Sequence, residues 1–209
     1  MPRLVKPYFN SKNVLSRNND GKRLQLAFEE VKEEPALTFK YVLAAKLNEL
    51  FPSHRQDSSF VLLSKRGCKA QLAHTDYSEV TLAGGIGRVN GDDDDEKMPL
   101  ACLVALMDET VVDIWPGAIK FDRSRKFEHV QVKLQAGDLL VFRGDLVHGG
   151  AAVAQSENVR IHAYLDVEGI VRPKLRDDGG NGGEVEETNF MCDASHILPR
   201  KEMWKKNII

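Results

Sequence analysis

Apolar residues follow two different periods along the chain. In residues 22–34 they recur among charged residues at spacings that fit a surface helix, although Leu24, Leu26 and Phe28 also fit the alternation of a strand. A second helical run begins at Pro35 and ends at Pro52. The pattern therefore predicts two helices near the N-terminus.

Beyond residue 52 the period drops to two or to short apolar runs, which is typical of β strands. Seven such strands are expected, at Phe60–Leu63, Leu100–Met107, Val111–Ile114, Gly117–Phe121, Val130–Leu134, Leu139–Phe142 and Val159–Leu165. Turn residues separate them, as in Gln135-Ala136-Gly137-Asp138. Two helices followed by many short strands predict an α+β chain with a sandwich or barrel core.

The length of 209 residues fits one domain, 1–209. Within it we expect an N-terminal helical part at 1–57, a β core at 58–167 and a C-terminal extension at 168–209. Two Gly- and acid-rich stretches, Gly84–Met98 and Asp177–Glu187, are predicted to be loops.

Charge and cysteine usage narrow the class of protein. Lys and Arg (29) nearly balance Asp and Glu (31), so the net charge of −2 gives no reason to expect a nucleic-acid partner. The three cysteines, Cys68, Cys102 and Cys192, have no paired spacing, which favours a reducing compartment and buried, unpaired thiols. No signal peptide or membrane anchor is evident at the N-terminus. The expectation is a soluble intracellular protein, cytoplasmic or nuclear, whose oligomeric state the sequence leaves open.

The first group of residues that carries chemistry is His74-Thr75-Asp76. On an extended backbone, residues two apart point to the same side, so His74 and Asp76 can bind one ion from one strand. Imidazole and carboxylate are ligands that suit non-haem iron(II), whose sites use two histidines and one carboxylate on one face. The alternative is a surface histidine beside a solvated acid.

Two later residues extend this group. His148 lies just inside a strand, after an apolar strand and a tight turn, and is followed by Gly149-Gly150. Arg160 follows in the Val159–Leu165 strand, where its neighbours alternate with apolar residues. An arginine that points into a core needs a partner. A carboxylate ligand would supply one, because a guanidinium can donate two parallel hydrogen bonds to it; an ion pair with Glu157 is the alternative.

In this order and spacing, His74, Asp76, His148 and Arg160 resemble the signature of the Fe(II)- and 2-oxoglutarate-dependent oxygenase superfamily. The segment Leu106–Lys120 also resembles the phytanoyl-CoA dioxygenase branch, with Ala118-Ile119 where that branch has Ser-His. The resemblance covers about residues 58–167.

The resemblance implies a double-stranded β-helix, or jelly roll, with the N-terminal helices packed on its outside. It implies a dioxygenase with Fe(II) on His74, Asp76 and His148, and with 2-oxoglutarate held by Arg160. Decarboxylation of 2-oxoglutarate to succinate would be coupled to hydroxylation or oxidative demethylation of a substrate. His162 occupies the place where many relatives have a serine that also touches the oxoacid, so it is a second candidate cofactor-binding residue.

Other functions stay open at this point. The same jelly roll could be a cupin-like module that binds a metal or ligand without catalysis. A nucleic-acid demethylase of the AlkB type is disfavoured, because Asp166 stands where that pattern has a second arginine. The substrate, a small molecule or a protein side chain, is not readable, since loops such as 77–98 and 115–128 would define it.

Overall fold

The computed structural model describes residues 21–28, 34, 36–77, 98–116, 118–121, 128–170, 190–191 and 197–199; in 118–121, 190–191 and 197–199 it describes the backbone alone. One α helix and twelve β strands lie within these ranges. The helix, α1, spans Ala36–Leu50. The strands are β1 (Arg23–Ala27), β2 (Arg55–Ser64), β3 (His74–Thr75), β4 (Leu100–Ala105), β5 (Thr110–Trp115), β6 (Ala118–Phe121), β7 (Val130–Leu134), β8 (Leu139–Arg143), β9 (Val147–Gly150), β10 (Asn158–Asp166), β11 (Phe190–Met191) and β12 (Ile197–Pro199).

The strands form two five-stranded sheets and one two-stranded sheet, and the paired strands are antiparallel. The first sheet has the order β1-β2-β10-β4-β8, and the second has the order β11-β3-β9-β5-β7. Strands β6 and β12 form the small sheet. From β2 to β5 and from β7 to β10, successive strands lie alternately in the two large sheets, so residues distant in sequence become neighbours.

The first sheet is covered on both faces, as the alternation along β4 shows. Cys102 and Val104 belong to an apolar cluster that includes Leu43 and Leu47 of α1. The intervening residues Ala101, Leu103 and Ala105 pack instead in a cluster with Val112 and Ile114 of the second sheet. Helix α1 therefore covers the outer face of the first sheet, and the second apolar cluster lies between the two large sheets.

Helix α1 confirms the second of the two predicted helices. Leu43 and Leu47 lie one turn apart and are buried on the sheet, while Tyr41 and Val42 are exposed. Pro52 follows soon after its last residue, Leu50.

The first predicted helix is wrong where the structure describes it. Residues Arg23–Ala27 form β1, which pairs with β2 from Arg23↔Ser64 to Ala27↔Phe60. The alternation of Leu24 and Leu26, compatible with both periods, is here that of a strand, because pairing with β2 satisfies the backbone and buries Leu26. The described part of the chain is thus mostly antiparallel β structure with a single helix.

The seven predicted strands are confirmed with small shifts at their ends, as β2, β4, β5, β6, β7, β8 and β10. The predicted loops at 84–98 and 177–187 lie outside the described residues, apart from Met98. None of the described helical structure is long and apolar enough to cross a bilayer. The division at residues 57 and 167 stays a prediction.

Candidate metal centre

His74 and His148 face each other across two neighbouring strands. They are Cα partners in the pairing of β3 with β9, and their ring centroids lie 4.6 Å apart. On the other side of β9, His148 is the Cα partner of Ile114, which packs between the two large sheets. Because paired residues point to the same face of a sheet, both imidazoles project from the second sheet toward the first.

Backbone carbonyls fix the orientation of both rings. His74 Nδ1 donates to the carbonyl oxygen of Leu72 at 2.8 Å, and His148 Nδ1 donates to that of Leu146 at 3.0 Å. A proton on Nδ1 leaves the Nε2 lone pair free. Hydrogen bonding of one ring nitrogen in this way is what orients metal-binding histidines in proteins.

Asp76 completes a set of three ligands. It lies just beyond β3, two residues after His74, and its Oδ1 is 3.7 Å from Nε2 of His148. One ligand atom from each of the three side chains lies within 4.8 Å of the other two, and all three residues are buried. Metal–ligand bonds of about 2 Å require such convergence. The structure thus brings together the three residues that the sequence predicts as metal ligands.

Burial sets the charge of this group in the metal-free protein. It lowers the pKa of His74 to about 4, helped by the neighbouring His148, and it also lowers the pKa of His148. Burial alone would raise the pKa of Asp76, but His148 and His162 outweigh it and hold that pKa below its usual range. At neutral pH the group is two neutral imidazoles and one carboxylate, the protonation state that a divalent cation needs.

Arg160 lies on β10 in the facing sheet and is almost fully buried. Its Nη1 donates to Ser64 Oγ at 3.0 Å, while its buried Nε donates to no described group. Burial, and then the charge of Arg23, lower its pKa to about 9, so it stays a cation at neutral pH. The alternative ion pair with Glu157 is not present. Buried charges in proteins are normally paired, so this guanidinium fits an anionic ligand.

His162 is directed at the candidate metal ligands. Its Nε2 lies 3.2 Å from Asp76 Oδ2, and its ring packs edge-to-face on Tyr164 with centroids 4.8 Å apart. A role of His162 in binding the oxoacid stays a prediction. The hydrogen bond that the structure gives it is with the carboxylate of Asp76.

Arg23 and Ser64 are two site residues that the sequence analysis missed. Arg23 Nη1 donates to Ser64 Oγ at 2.9 Å, and its Nη2 donates to three carbonyl oxygens, those of Lys69, Gly150 and Ala151. A Cβ atom at Gly150 would lie 2.6 Å from a nitrogen of each arginine, Arg23 and Arg160. The period of two through Leu24 and Leu26 is the signal that could have placed Arg23 beside the core.

The remaining sequence candidates lie apart from this group. Trp115 stacks on His129 with ring centroids 5.0 Å apart, and His129 Nε2 lies 2.7 Å from Asp113 Oδ1. Cys68 and Cys102 are buried and unpaired, as expected, and burial raises the pKa of the Cys102 thiol to about 12.

Solved structures with a similar fold include AviO1 from Streptomyces viridochromogenes Tue57, which is 15% identical with a TM-score of 0.53 over 72% of this chain and 70% of that one. Two others come from nogalamycin biosynthesis. They are the non-haem alpha ketoglutarate-dependent carbocyclase SnoK (16% identity, TM-score 0.50, covering 72% of this chain and 66% of that one) and epimerase SnoN (19% identity, TM-score 0.50, covering 78% and 75%). Neither a protein-family profile nor a curated sequence gives a significant match.

These likenesses concern the fold. The chain shares it with non-haem α-ketoglutarate-dependent enzymes. The phytanoyl-CoA dioxygenase branch stays a prediction.

Proposed function

We propose that this protein is an Fe(II)- and 2-oxoglutarate-dependent dioxygenase. His74, Asp76 and His148 would hold the iron, and Arg160 would hold the oxoacid. When bound, the iron would let dioxygen oxidise both molecules, with one oxygen atom going to succinate as the oxoacid loses carbon dioxide and the other to a substrate C–H bond, by hydroxylation or oxidative demethylation. The observation that carries the proposal is the convergence of three buried candidate ligands, facing a sheet that carries a buried guanidinium for which the described residues supply no acidic partner.

The order of the strands supports a double-stranded β-helix as the scaffold. Strands β2, β10, β4 and β8 in one sheet face β3, β9, β5 and β7 in the other, and chain segments pass between the sheets as in a jelly roll. This arrangement brings β3 and β9 together in one sheet and places β10 in the other, so the metal ligands and Arg160 can meet between them.

The chain's own residues would contribute binding, orientation and exclusion of water. The Nδ1 bonds of His74 and His148 to backbone carbonyls hold both Nε2 atoms toward one point. Arg160 would bind the oxoacid's far carboxylate through its guanidinium, whose buried Nε donates to no described residue. Burial of all four side chains would keep the reaction away from bulk water.

The partner in this proposal is a small molecule or a protein side chain, handled inside the cell in the cytoplasm or nucleus. The near-neutral net charge gives no support to a polyanionic substrate such as nucleic acid.

Anaerobic addition of Fe(II) and then 2-oxoglutarate tests the proposal without a known substrate. The wild-type protein should develop the weak visible absorption band of the iron–oxoacid chelate, and under air it should form succinate slowly. Asp76→Ala should abolish both signals. Arg160→Gln should require about 10- to 100-fold more 2-oxoglutarate, the equivalent of losing charge-assisted hydrogen bonds.

Asp113→Asn is a matched control, because Asp113 is another buried aspartate whose partners are His129 and Gln131. It should leave the band and the succinate yield unchanged. Metal binding without a chelate band or succinate would instead favour the cupin-like binding module. Full turnover in Asp76→Ala would reject the proposed ligand set.

A further inference from the structure

The side chain of Tyr77 joins the segment that carries Asp76 to the first sheet. Asp76 and Tyr77 directly follow β3, which belongs to the second sheet. The hydroxyl of Tyr77 donates to the carboxylate of Asp166, the last residue of β10, and the carbonyl oxygen of Leu100 on β4 lies 3.3 Å from it. Asp76 therefore lies between a strand of one sheet and a side-chain anchor in the other.

The ring of Tyr77 is also fixed in place. It packs edge-to-face on Tyr164, with ring centroids 6.0 Å apart and an angle of 88° between the planes. A Cβ atom at Gly144 would collide with the ring, and the amide of Tyr77 donates to the carbonyl oxygen of Gly144 at 3.2 Å. Tyr77 is 2% exposed and Asp166 is 3% exposed, so bulk water would not replace the bond between them.

Asp76 needs an anchor of this kind because it lies beyond the end of β3, outside the described strand pairing that positions His74. His162 contacts one oxygen of the Asp76 carboxylate, but that contact does not fix the backbone that carries the carboxylate. Tyr77 is the next residue in the chain. A shift of Tyr77 would therefore move the carboxylate relative to His74 and His148, which are both held by the second sheet.

We propose that Tyr77 and Asp166 act together as positioning residues for the metal ligand Asp76. The hydrogen bond between them sets where the Asp76 carboxylate stands relative to the two imidazoles. Asp166 and His162 lie four residues apart on one face of β10, so this strand holds Asp76 twice, once through its carboxylate and once through its backbone. The inference rests on the ligand set of the proposed function, and it does not depend on the oxoacid.

Binding of Mn(II), followed by electron paramagnetic resonance, tests this assignment without a substrate or an oxoacid. Tyr77→Phe removes only the hydroxyl. It should raise the dissociation constant for Mn(II) by about 10-fold or more, as the loss of a residue that orients a metal ligand does. The spectrum of the bound ion should change as well, because it depends on the positions of the ligand atoms. A loss of stability alone would not change that spectrum in the folded protein.

Substitution of Asp166 shows whether the hydrogen bond is the cause. Asp166→Asn keeps an oxygen that can accept from Tyr77 and should retain most of the Mn(II) affinity. Asp166→Ala should lose at least as much affinity as Tyr77→Phe. In the Asp166→Ala background, Tyr77→Phe should add little further loss, because both changes remove the same contact. If Tyr77→Phe does not fold, the contrast between Asp166→Asn and Asp166→Ala decides.

Thr110→Val is the matched control, because it removes another buried hydroxyl. Thr110 lies on β5, where its hydroxyl donates to the carbonyl oxygen of Met107 and accepts from Asn158. It is four residues from Ile114, the Cα partner of His148. Thr110→Val should change neither the Mn(II) affinity nor the spectrum of the bound ion.

The outcomes separate this inference from the proposed function. Wild-type affinity and spectrum in Tyr77→Phe would overturn the role of Tyr77 and leave the ligand set standing. Equal losses in Asp166→Asn and Asp166→Ala would overturn the hydrogen bond as the cause. Mn(II) binding that depends on Tyr77, without a chelate of Fe(II) and 2-oxoglutarate, would overturn the proposed function and support this inference. A wild-type protein that binds no Mn(II) would overturn both.

Discussion

His162 Nε2 lies 3.2 Å from Oδ2 of Asp76, while the other carboxylate oxygen, Oδ1, lies 3.7 Å from His148 Nε2. The two oxygens of one carboxylate are thus divided between a supporting imidazole and a second candidate ligand. A hydrogen bond to Oδ2 restricts rotation of the carboxylate and would keep Oδ1 directed at a bound ion.

Removal of the His162 contact should weaken metal binding. We expect His162→Phe to raise the dissociation constant for Mn(II) by about 10- to 100-fold, the usual effect of losing such an outer partner. His162→Gln, which keeps a hydrogen-bond donor, should retain part of the Mn(II) affinity that His162→Phe loses. His129→Phe serves as control, because His129 contacts Asp113 and Trp115 instead. Equal affinities in His162→Phe and wild type would show that Asp76 is held by its backbone alone.

The stability of the metal-free protein should decrease on acidification from about pH 6.5 to pH 4. The pKa of His74 is lowered to about 4 by burial and by His148, so the unfolded chain takes up this proton first as the pH falls. The full effect for His74 is about 3 kcal/mol. His148, whose pKa is also lowered, acts in the same direction.

Urea unfolding between pH 7.5 and 4.5 measures this dependence. His74→Gln should flatten the slope by up to about 1.4 kcal/mol per pH unit, the contribution of one proton. A slope unchanged by that substitution would contradict the low pKa. Asp76 does not change the direction of this pH dependence between pH 7.5 and 4.5, since its lowered pKa keeps it ionised in the folded protein.

Gly150→Ala should disrupt the anion site. Its Cβ would lie 2.6 Å from nitrogens of Arg23 and Arg160 and 2.7 Å from Gln71 Oε1, so at least one of these groups must move. We expect a loss of about 1–3 kcal/mol in unfolding free energy and a clear loss of 2-oxoglutarate affinity. Gly149→Ala is the comparison for a milder clash, because its Cβ would lie 3.3 Å from the carbonyl oxygen of Gln71, a contact that a shift of a few tenths of an ångström relieves, and it should cost less than Gly150→Ala in both measurements. Wild-type oxoacid affinity in Gly150→Ala would show that Arg160 is free to relocate.

Leu47→Ala should destabilise the fold without changing the site. Leu47 is 1% exposed on the buried side of α1, which covers the face of the first sheet that points away from the candidate metal ligands. Thermal or urea unfolding should show a loss of about 2–5 kcal/mol, with Mn(II) affinity retained in the folded protein. Val42→Ala on the same helix, at 60% exposure, should cost little. A large drop in metal affinity would mean that the helix supports the site.

The sequence was most informative where side-chain period and chemistry coincide. His74 and Asp76, two apart, needed only an extended backbone to share a side, and Arg160 was conspicuous as a cation in an apolar strand. The contact of His162 with Asp76 was not readable, because it depends on how the two sheets face each other.

The sequence pattern did not identify Arg23 and Ser64 as part of the site, for a different reason in each case. Arg23 lies in a stretch whose apolar spacing fits both a helix and a strand, and pairing with β2 decides between them. Ser64 has no apolar or charged pattern of its own. Its position between Arg23 and Arg160 follows from the register of three strands, which no local pattern encodes.

Strand β3 has only two residues; it pairs with β11 through both of them, but with β9 through a single residue pair, His74 with His148. One residue pair holds β3 to β9 only weakly, so an ion shared by those same two imidazoles would act as a cross-link between the strands. Its withdrawal should release β3 as a local opening, well below the cost of global unfolding. Amide hydrogen exchange at His74 and Thr75 should then accelerate far more than in β4 when a chelator is added, which would make this edge of the second sheet a reporter of metal occupancy.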